Sequence, residues 1–188
     1  MSRLGRLVNK VLGVAGVRLV RESRGGAPVD EYELAKSARA LGVKVGEHVR
    51  FADGMPSFGS EPYLVEIGDD CVLSGRVTFL THDGGIRVCR DLVEDYASLT
   101  KFARVRVGRG CFVGAFAVIL PGVTIGDGCV IGAASVVTKS VPPGEVWAGN
   151  PAKFVCTTAD YARRAEARSR TPEQEALRRE VKARRGYA

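Results

Sequence analysis

The run that decides the fold is Val107–Val141, which divides into VGRGCF, VGAFAV, ILPGVT, IGDGCV, IGAASV and VTKSV. An aliphatic residue opens each block, at Val107, Val113, Ile119, Ile125, Ile131 and Val137. Gly follows at 108, 114, 126 and 132. The fifth place holds a short residue: Cys111, Ala117, Val123, Cys129, Ser135 and Val141. A period of six matches neither the 3.6 of a helix nor the 2 of a strand. It matches a short strand and a turn, repeated. Three blocks close one coil of 18 residues, and coils stack at ~4.8 Å, the interstrand spacing of a sheet. The opening aliphatic points into the resulting prism and the fifth residue fills the remaining corner. Gly is expected to supply a turn conformation closed to most residues.

Upstream, the pattern recurs at Ile67-Gly68 with Cys71, Leu73 with Val77, Phe79, and Val45-Gly46 with Val49 and Phe51. Two segments break it. Residues 52–66 (ADGMPSFGSEPYLVE) lose phase and carry Pro56 and Pro62. Residues 83–104 form a 22-residue insertion, and loops of that length are usually functional. Val29–Ala40 reads as a helix with Asp30 as N-cap and Gly42 beyond its end. Thr158–Arg185, rich in Ala, Glu and Arg and broken at Pro172, reads as two short helices with a solvated charged face. The expected organisation is an N-terminal helical segment over 1–42, a repeat domain over 43–155 containing the insertion, and a helical tail over 156–188.

The 188 residues are 45% hydrophobic and 26% charged, as in a globular protein, with a formal charge of +7. A basic balance invites a nucleic-acid reading, but the charge is in the wrong place. Residues 1–30 carry six basic and two acidic residues, and residues 157–188 carry nine and five. Between them 13 basic residues face 14 acidic ones, so the repeat domain offers no basic groove. Leu4, Leu7, Val8, Val11 and Leu12 fall at helical spacing with Arg3, Arg6 and Lys10 between them. Such a basic amphipathic helix rests on an anionic membrane surface, or packs on its own domain or a neighbouring subunit. Its longest apolar stretch, Val11–Val17, is far short of the ~20 residues a spanning helix needs.

Five cysteines with no C-x-x-C pair argue against a structural zinc site or a disulfide framework. A reducing, cytoplasmic setting follows, at the inner membrane surface if the N-terminal helix docks there. Cys71, Cys111 and Cys129 take the inward fifth place, where free Cys acts as a small hydrophobe. Cys89 lies outside the repeat. The only histidines are His48 and His82, so three-histidine zinc chemistry is excluded within one chain and no metal is expected. His48, with no loop beside it, reads as a surface residue. His82 stands where the repeat gives way to the insertion, at an outward place, and imidazole accepts protons near neutrality.

Pro121-Gly-Val-Thr-Ile-Gly-Asp-Gly-Cys-Val-Ile-Gly-Ala-Ala-Ser-Val-Val-Thr-Lys-Ser-Val-Pro-Pro143, followed by Val146-Trp-Ala-Gly-Asn-Pro-Ala-Lys153, resembles the C-terminal signature of the hexapeptide acyltransferases. These include the galactoside, maltose and polysaccharide O-acetyltransferases and the xenobiotic acetyltransferases. Thr81-His82-Asp83 is similar to their catalytic-histidine segment. The resemblance implies an all-β fold, a left-handed parallel β-helix of hexapeptide repeats flanked by N- and C-terminal helices. It implies a homotrimer with active sites between subunits and acetyl-CoA as co-substrate. It implies that His82 is the general base of a ternary complex. Gly114, Ala115 and Ala133 match positions along the pantetheine arm. Thr138, Lys139 and Lys153 match positions near the nucleotide end, with exposed turn cations as the plain alternative for the two lysines. Trp147 either covers the adenine or caps the prism. Relatives orient the histidine through a carboxylate or carbonyl. Asp83 is adjacent but points to the opposite side along an extended chain; Asp91, Glu94 and Asp95 of the insertion are the other candidates, within the chain or across the subunit interface, and all four are also candidates for binding the acceptor.

The leading expectation is an O-acetyltransferase acting on a sugar or polysaccharide precursor. N-acetylation of a nucleotide-linked amino sugar keeps the chemistry and changes the acceptor. A non-catalytic β-helix scaffold would need no histidine at the loop junction, and this chain has one.

Overall fold

The computed structural model describes residues 31–90, 92 and 101–185. The amphipathic helix expected over Leu4–Leu12, the Asp30 cap, and Asp91, Glu94 and Asp95 lie outside those residues.

The chain winds as a left-handed parallel β-helix with three faces. Face A stacks β1 (Lys44–Val45), β3 (Val65–Ile67), β6 (Val105–Val107) and β9 (Thr124–Ile125). Face B stacks β2 (Arg50–Phe51), β4 (Val72–Leu73), β7 (Phe112–Val113) and β10 (Val130–Ile131), then β12 (Glu145–Gly149) and β13 (Ala152–Thr157). Face C stacks β5 (Thr78–Phe79), β8 (Val118–Ile119) and β11 (Val136–Val137). The register records each departure from a bare coil. Arg106 pairs with Thr124, 18 residues on. Lys44 pairs with Glu66, 22 on, and Glu66 with Arg106, 40 on. Both surpluses leave the prism at the corner between faces C and A.

The hexad explains the core. Leu73, Phe79, Val113, Ile119, Ile125, Ile131 and Val137 are all fully buried, as are the fifth-place Cys71, Val77, Ala117, Cys129 and Ser135. Each fully buried aliphatic or aromatic side chain contributes ~1.5–3 kcal/mol before chain entropy is set against it. Ser135 is satisfied, since its Oγ accepts the Gly149 N–H at 3.1 Å. The thiols of Cys71, Cys111 and Cys129 each donate to a carbonyl of the next coil, Gly108, Gly126 and Pro142, at 3.0–3.1 Å.

The role expected for Gly needs correction. The left-handed backbone falls at the fourth place of the hexad, where Asp70, Arg76, Gly110, Phe116, Gly128 and Ala134 have φ between 56° and 64°. Gly in the second place meets a spatial demand instead. A Cβ on Gly114 would sit 2.5 Å from the Ala133 nitrogen of the next coil, and one on Gly126 would sit 2.5 Å from Pro143 N. The corners stack too closely for any side chain there.

Helix α1 (Glu31–Ala40) covers the first coil, burying Leu34, Ala35 and Ala38. Its Arg39 donates to the carbonyls of Val45 and Gly46. At the other end the chain does not add a further parallel turn. β12 and β13 form an antiparallel hairpin through the cis Asn150–Pro151 bond. Trp147, partly buried, packs against the core there, with its Nε1–H donating to Glu145 at 2.7 Å. Cys156, read as the start of the tail, is buried in β13. Helices α3 (Thr158–Ser169) and α4 (Pro172–Arg185) occupy the segment read as two helices, and Thr157 caps α3 by accepting from Asp160 N–H at 3.1 Å. A shorter helix, α2 (Ile86–Arg90), lies inside the insertion and carries Cys89.

Candidate active site

The two interruptions of the repeat meet at the corner between faces C and A. After β5 the chain keeps extended backbone and leaves the prism. Thr81 to Asp83 run antiparallel to residues 101–103: His82 bridges Phe102, Asp83 N–H donates to Lys101 O, and Ala103 N–H donates to Thr81 O. This stem carries Thr81 inward, 1% exposed, and His82 outward, with its side chain 44% exposed. The Phe102 ring lies edge-on to the imidazole with centroids 5.9 Å apart.

The first interruption supplies the partner. Glu61, just before the single turn Pro62–Leu64, places Oε2 2.8 Å from His82 Nδ1. The same oxygen accepts the Thr81 hydroxyl at 2.6 Å. The Glu61 side chain is 15% exposed. Hydrogen bonds from Thr81, then Ser60, then His82 outweigh its desolvation and hold its carboxyl down at about 2. An ionised carboxylate only accepts, so Nδ1 carries the proton in this pair. That leaves Nε2 as the ring nitrogen available to accept a proton.

Glu61 was not among the expected orienting groups, of which only Asp83 lies among the described residues. Asp83 does not contact His82: its Oδ1 accepts Gly85 N–H at 3.0 Å, and its Oδ2 lies 3.9 Å from Lys101 Nζ. The physical reason is the one its position gives, since adjacent residues of an extended stem project to opposite sides. Glu61 was missed because its segment was read only as lost phase. Ser57 bridges Thr78, an offset of 21 residues, and the same offset carries Glu61 to His82. His48, expected at the surface, is 77% exposed, with its Nδ1 3.2 Å from Asp70 Oδ1.

The residues matched to a coenzyme surface divide between places. Gly114, Ala115 and Ala133 stack at the corner between faces B and C, with Ala133 exposed. Thr138 and Lys139 follow β11 at the corner between C and A, on the side of His82, and Lys153 lies in β13. All three are exposed, and among the described residues neither lysine has a hydrogen bond or ion pair. From the B–C corner to the C–A corner the chain runs six residues, roughly 20 Å at ~3.3 Å each. Ala133 and His82 therefore stand at different corners of the prism. A cleft of about 550 Å³ between α3 and face B, lined by Phe112, Ala133, Tyr161, Arg164 and Arg168, adds two guanidinium groups that the sequence had not singled out.

Comparison with known proteins places this geometry. Residues 104–139 match the family described as bacterial transferase hexapeptide (six repeats). Protein CapG of Staphylococcus aureus is 47% identical over 124 residues, which covers 65% of this chain and 70% of that protein. A galactoside acetyltransferase solved in complex with coenzyme A superposes with a TM-score of 0.56 at 24% identity, over 84% of this chain and 82% of that one. A hexapeptide-repeat containing acetyltransferase from Vibrio cholerae superposes with a TM-score of 0.54 at 22% identity, over 83% and 93%. The two structural likenesses are likenesses of fold.

Proposed function

The chain belongs to the bacterial transferase hexapeptide family, and on that premise we propose that it transfers an acetyl group from acetyl-CoA to a hydroxyl of a sugar or polysaccharide precursor. The observation that carries the proposal is the Glu61–His82 pair. Glu61 Oε2 lies 2.8 Å from His82 Nδ1; a carboxylate there accepts from Nδ1 and leaves Nε2 for the role of general base.

The acceptor hydroxyl gives its proton to Nε2 while its oxygen attacks the thioester carbonyl carbon. The imidazolium is steadied by the Glu61 carboxylate, which stays ionised at any working pH. Collapse of the tetrahedral intermediate breaks the C–S bond, and the thiolate takes the proton back from His82. A backbone N–H at the coil edge would serve the oxyanion, since preorganised donors of this kind lower acyl-transfer barriers. Ala115 and Ala133, with no side chain beyond a methyl, offer a backbone edge to an extended pantetheine arm. Lys139 and Lys153, both without partners among the described residues, suit phosphate as point charges.

The separation of Ala133 from His82 within one chain favours a site built between subunits, with the base from one prism and the coenzyme edge from another. A homotrimer supplies that arrangement. Five free cysteines suit a reducing, cytoplasmic setting.

The test is release of coenzyme A from acetyl-CoA across a panel of sugars and amino sugars. Wild-type protein should acetylate at least one hydroxylated acceptor, and His82→Ala should lose at least ~10²-fold in kcat, the low end for general-base catalysis. Equal activity of the two proteins would remove His82 from the chemistry. Turnover confined to amines would replace O-acetylation by N-acetylation.

A further inference from the structure

Face A has a charge imbalance beside the stem that carries His82. The outward residues of its first three strands are Lys44, Glu66 and Arg106, directly paired in register. Lys44 Nζ lies 3.0 Å from Glu66 Oε1, and Arg106 Nε lies 3.1 Å from Glu66 Oε2. Arg104 then adds a third cation, NH1 at 3.5 Å from Oε1. Three cations thus share one carboxylate, a surplus of two positive charges. Cross-strand pairing alone would account for one cation on each side of Glu66; it does not account for Arg104. The carboxylate is largely covered, 26% exposed, whereas Lys44, Arg104 and Arg106 are 68%, 45% and 51% exposed. Glu66 therefore gathers the cationic heads without neutralising them, and their remaining N–H donors face solvent.

Lys44, Glu66 and Arg106 of this cluster line a depression of about 620 Å³ on face A that continues past Gly68 to Asp127; Arg104 is not among its lining residues. That volume is within the range of small-ligand sites. Its connection to the chemistry is covalent and short. Phe102 bridges His82, and Arg104 stands two residues further on, ~6.6 Å along extended chain. A second step of two residues reaches Arg106. Arg109, in the turn that follows β6, is by contrast matched one-to-one by Asp127 at 3.2 Å.

We propose that the acceptor carries a phosphate or diphosphate group, which Arg104, Arg106 and Lys44 bind on face A while the attached sugar reaches His82. The inference rests on the acetyl-transfer reading and narrows its acceptor. Guanidinium forks match phosphate oxygens bidentately, and three cations around one carboxylate leave a local positive charge that draws an anionic substrate. Two sources share this chemistry: a soluble nucleoside-diphosphate sugar and a polyprenyl-diphosphate sugar at a membrane surface.

The experiment compares the full-length protein with Arg104→Gln, Arg106→Gln and, as control, Arg109→Gln. Acceptors are nucleoside-diphosphate sugars, short-chain polyprenyl-diphosphate sugars in detergent, and the same sugars without phosphate. Wild type should prefer a phosphorylated acceptor by at least tenfold in kcat/KM. Arg104→Gln and Arg106→Gln should each raise its KM about tenfold, the loss of one charge-assisted hydrogen bond. Their kcat and acetyl-CoA KM should hold, and Arg109→Gln should match wild type throughout. That KM should also climb with ionic strength. Whichever phosphorylated class is used identifies the source. Preference for phosphate-free sugars, or variants that leave the phosphorylated KM unchanged, overturns the proposal. If acetyl-CoA neither binds nor reacts, the acetyl-transfer reading fails by itself. Calorimetric binding of the nucleoside-diphosphate sugar, weakened in Arg106→Gln, would still support the phosphate site, and no binding of either phosphorylated class would overturn it.

Discussion

Replacing Glu61 separates positioning from proton transfer. In the wild type the carboxylate accepts from His82 Nδ1 at 2.8 Å and from the Thr81 hydroxyl at 2.6 Å. A hydrogen bond to a charged group contributes ~1.5–3 kcal/mol, and the half-exposed imidazole takes the lower end because water competes for it. About 1.5 kcal/mol of held geometry and imidazolium stabilisation is then lost in Glu61→Ala, close to tenfold in rate. Glu61→Gln keeps the shape and an acceptor oxygen but removes the charge, so it should fall between wild type and Glu61→Ala. Steady-state kinetics on both variants should show the loss in kcat, with KM for acetyl-CoA within twofold of wild type. A melting curve measured alongside separates this from misfolding. If Glu61→Ala kept kcat within twofold of wild type while His82→Ala was inactive, the positioning role would be refuted.

Three further outcomes follow from the same geometry. The folded-state value of Glu61, about 2, lies below its ordinary 4.5, so its contribution to stability is complete above about 4.5 and is lost as pH falls through about 2; the stability difference between wild type and Glu61→Gln, followed by denaturant titration at each pH, should shrink across that window. Gly114→Ala forces a Cβ to 2.5 Å from a backbone nitrogen, whereas Gly128→Ala has open space and only a φ of +64° to resist; urea unfolding should show ~2–3 kcal/mol for the first and ~1 kcal/mol for the second. A thiol reagent on the native protein should modify Cys89 quickly and Cys71, Cys111, Cys129 and Cys156 only on unfolding, because all four are buried. Cys111, through its hydrogen bond with Cys71 and its burial, and Cys129, through burial, are also held above the usual thiol range.

The hexads made the prism legible because stacking repeats one spatial demand at every coil. Ile119, Ile125 and Ile131 must point inward for the same reason, so each confirms the others. Gly114 and Gly126 were legible as glycines that mattered but not for why, because the sequence does not show which backbone atom of the next coil stands opposite. His82 was found through its place at a phase break. Glu61 was not, since the offset linking it to His82 is 21 residues rather than a multiple of six, and that count depends on how many residues the first loop spills. Arg104, Arg106 and Lys44 are scattered over 62 positions of sequence and become neighbours only through a register that includes the 22-residue insertion.

A β-helix differs from a closed barrel in having two ends, and at each end a coil presents backbone donors or acceptors with no next coil to take them. Such a surface is a template for another copy of itself. Here α1 lies over one end and the antiparallel hairpin β12–β13 over the other, and an antiparallel strand cannot serve as the next parallel turn. Both elements thus act as terminators of a structure that would otherwise have no intrinsic length. Loss of either would leave the remaining coils intact and adhesive, and its signature would be end-to-end growth into filaments rather than loss of β structure.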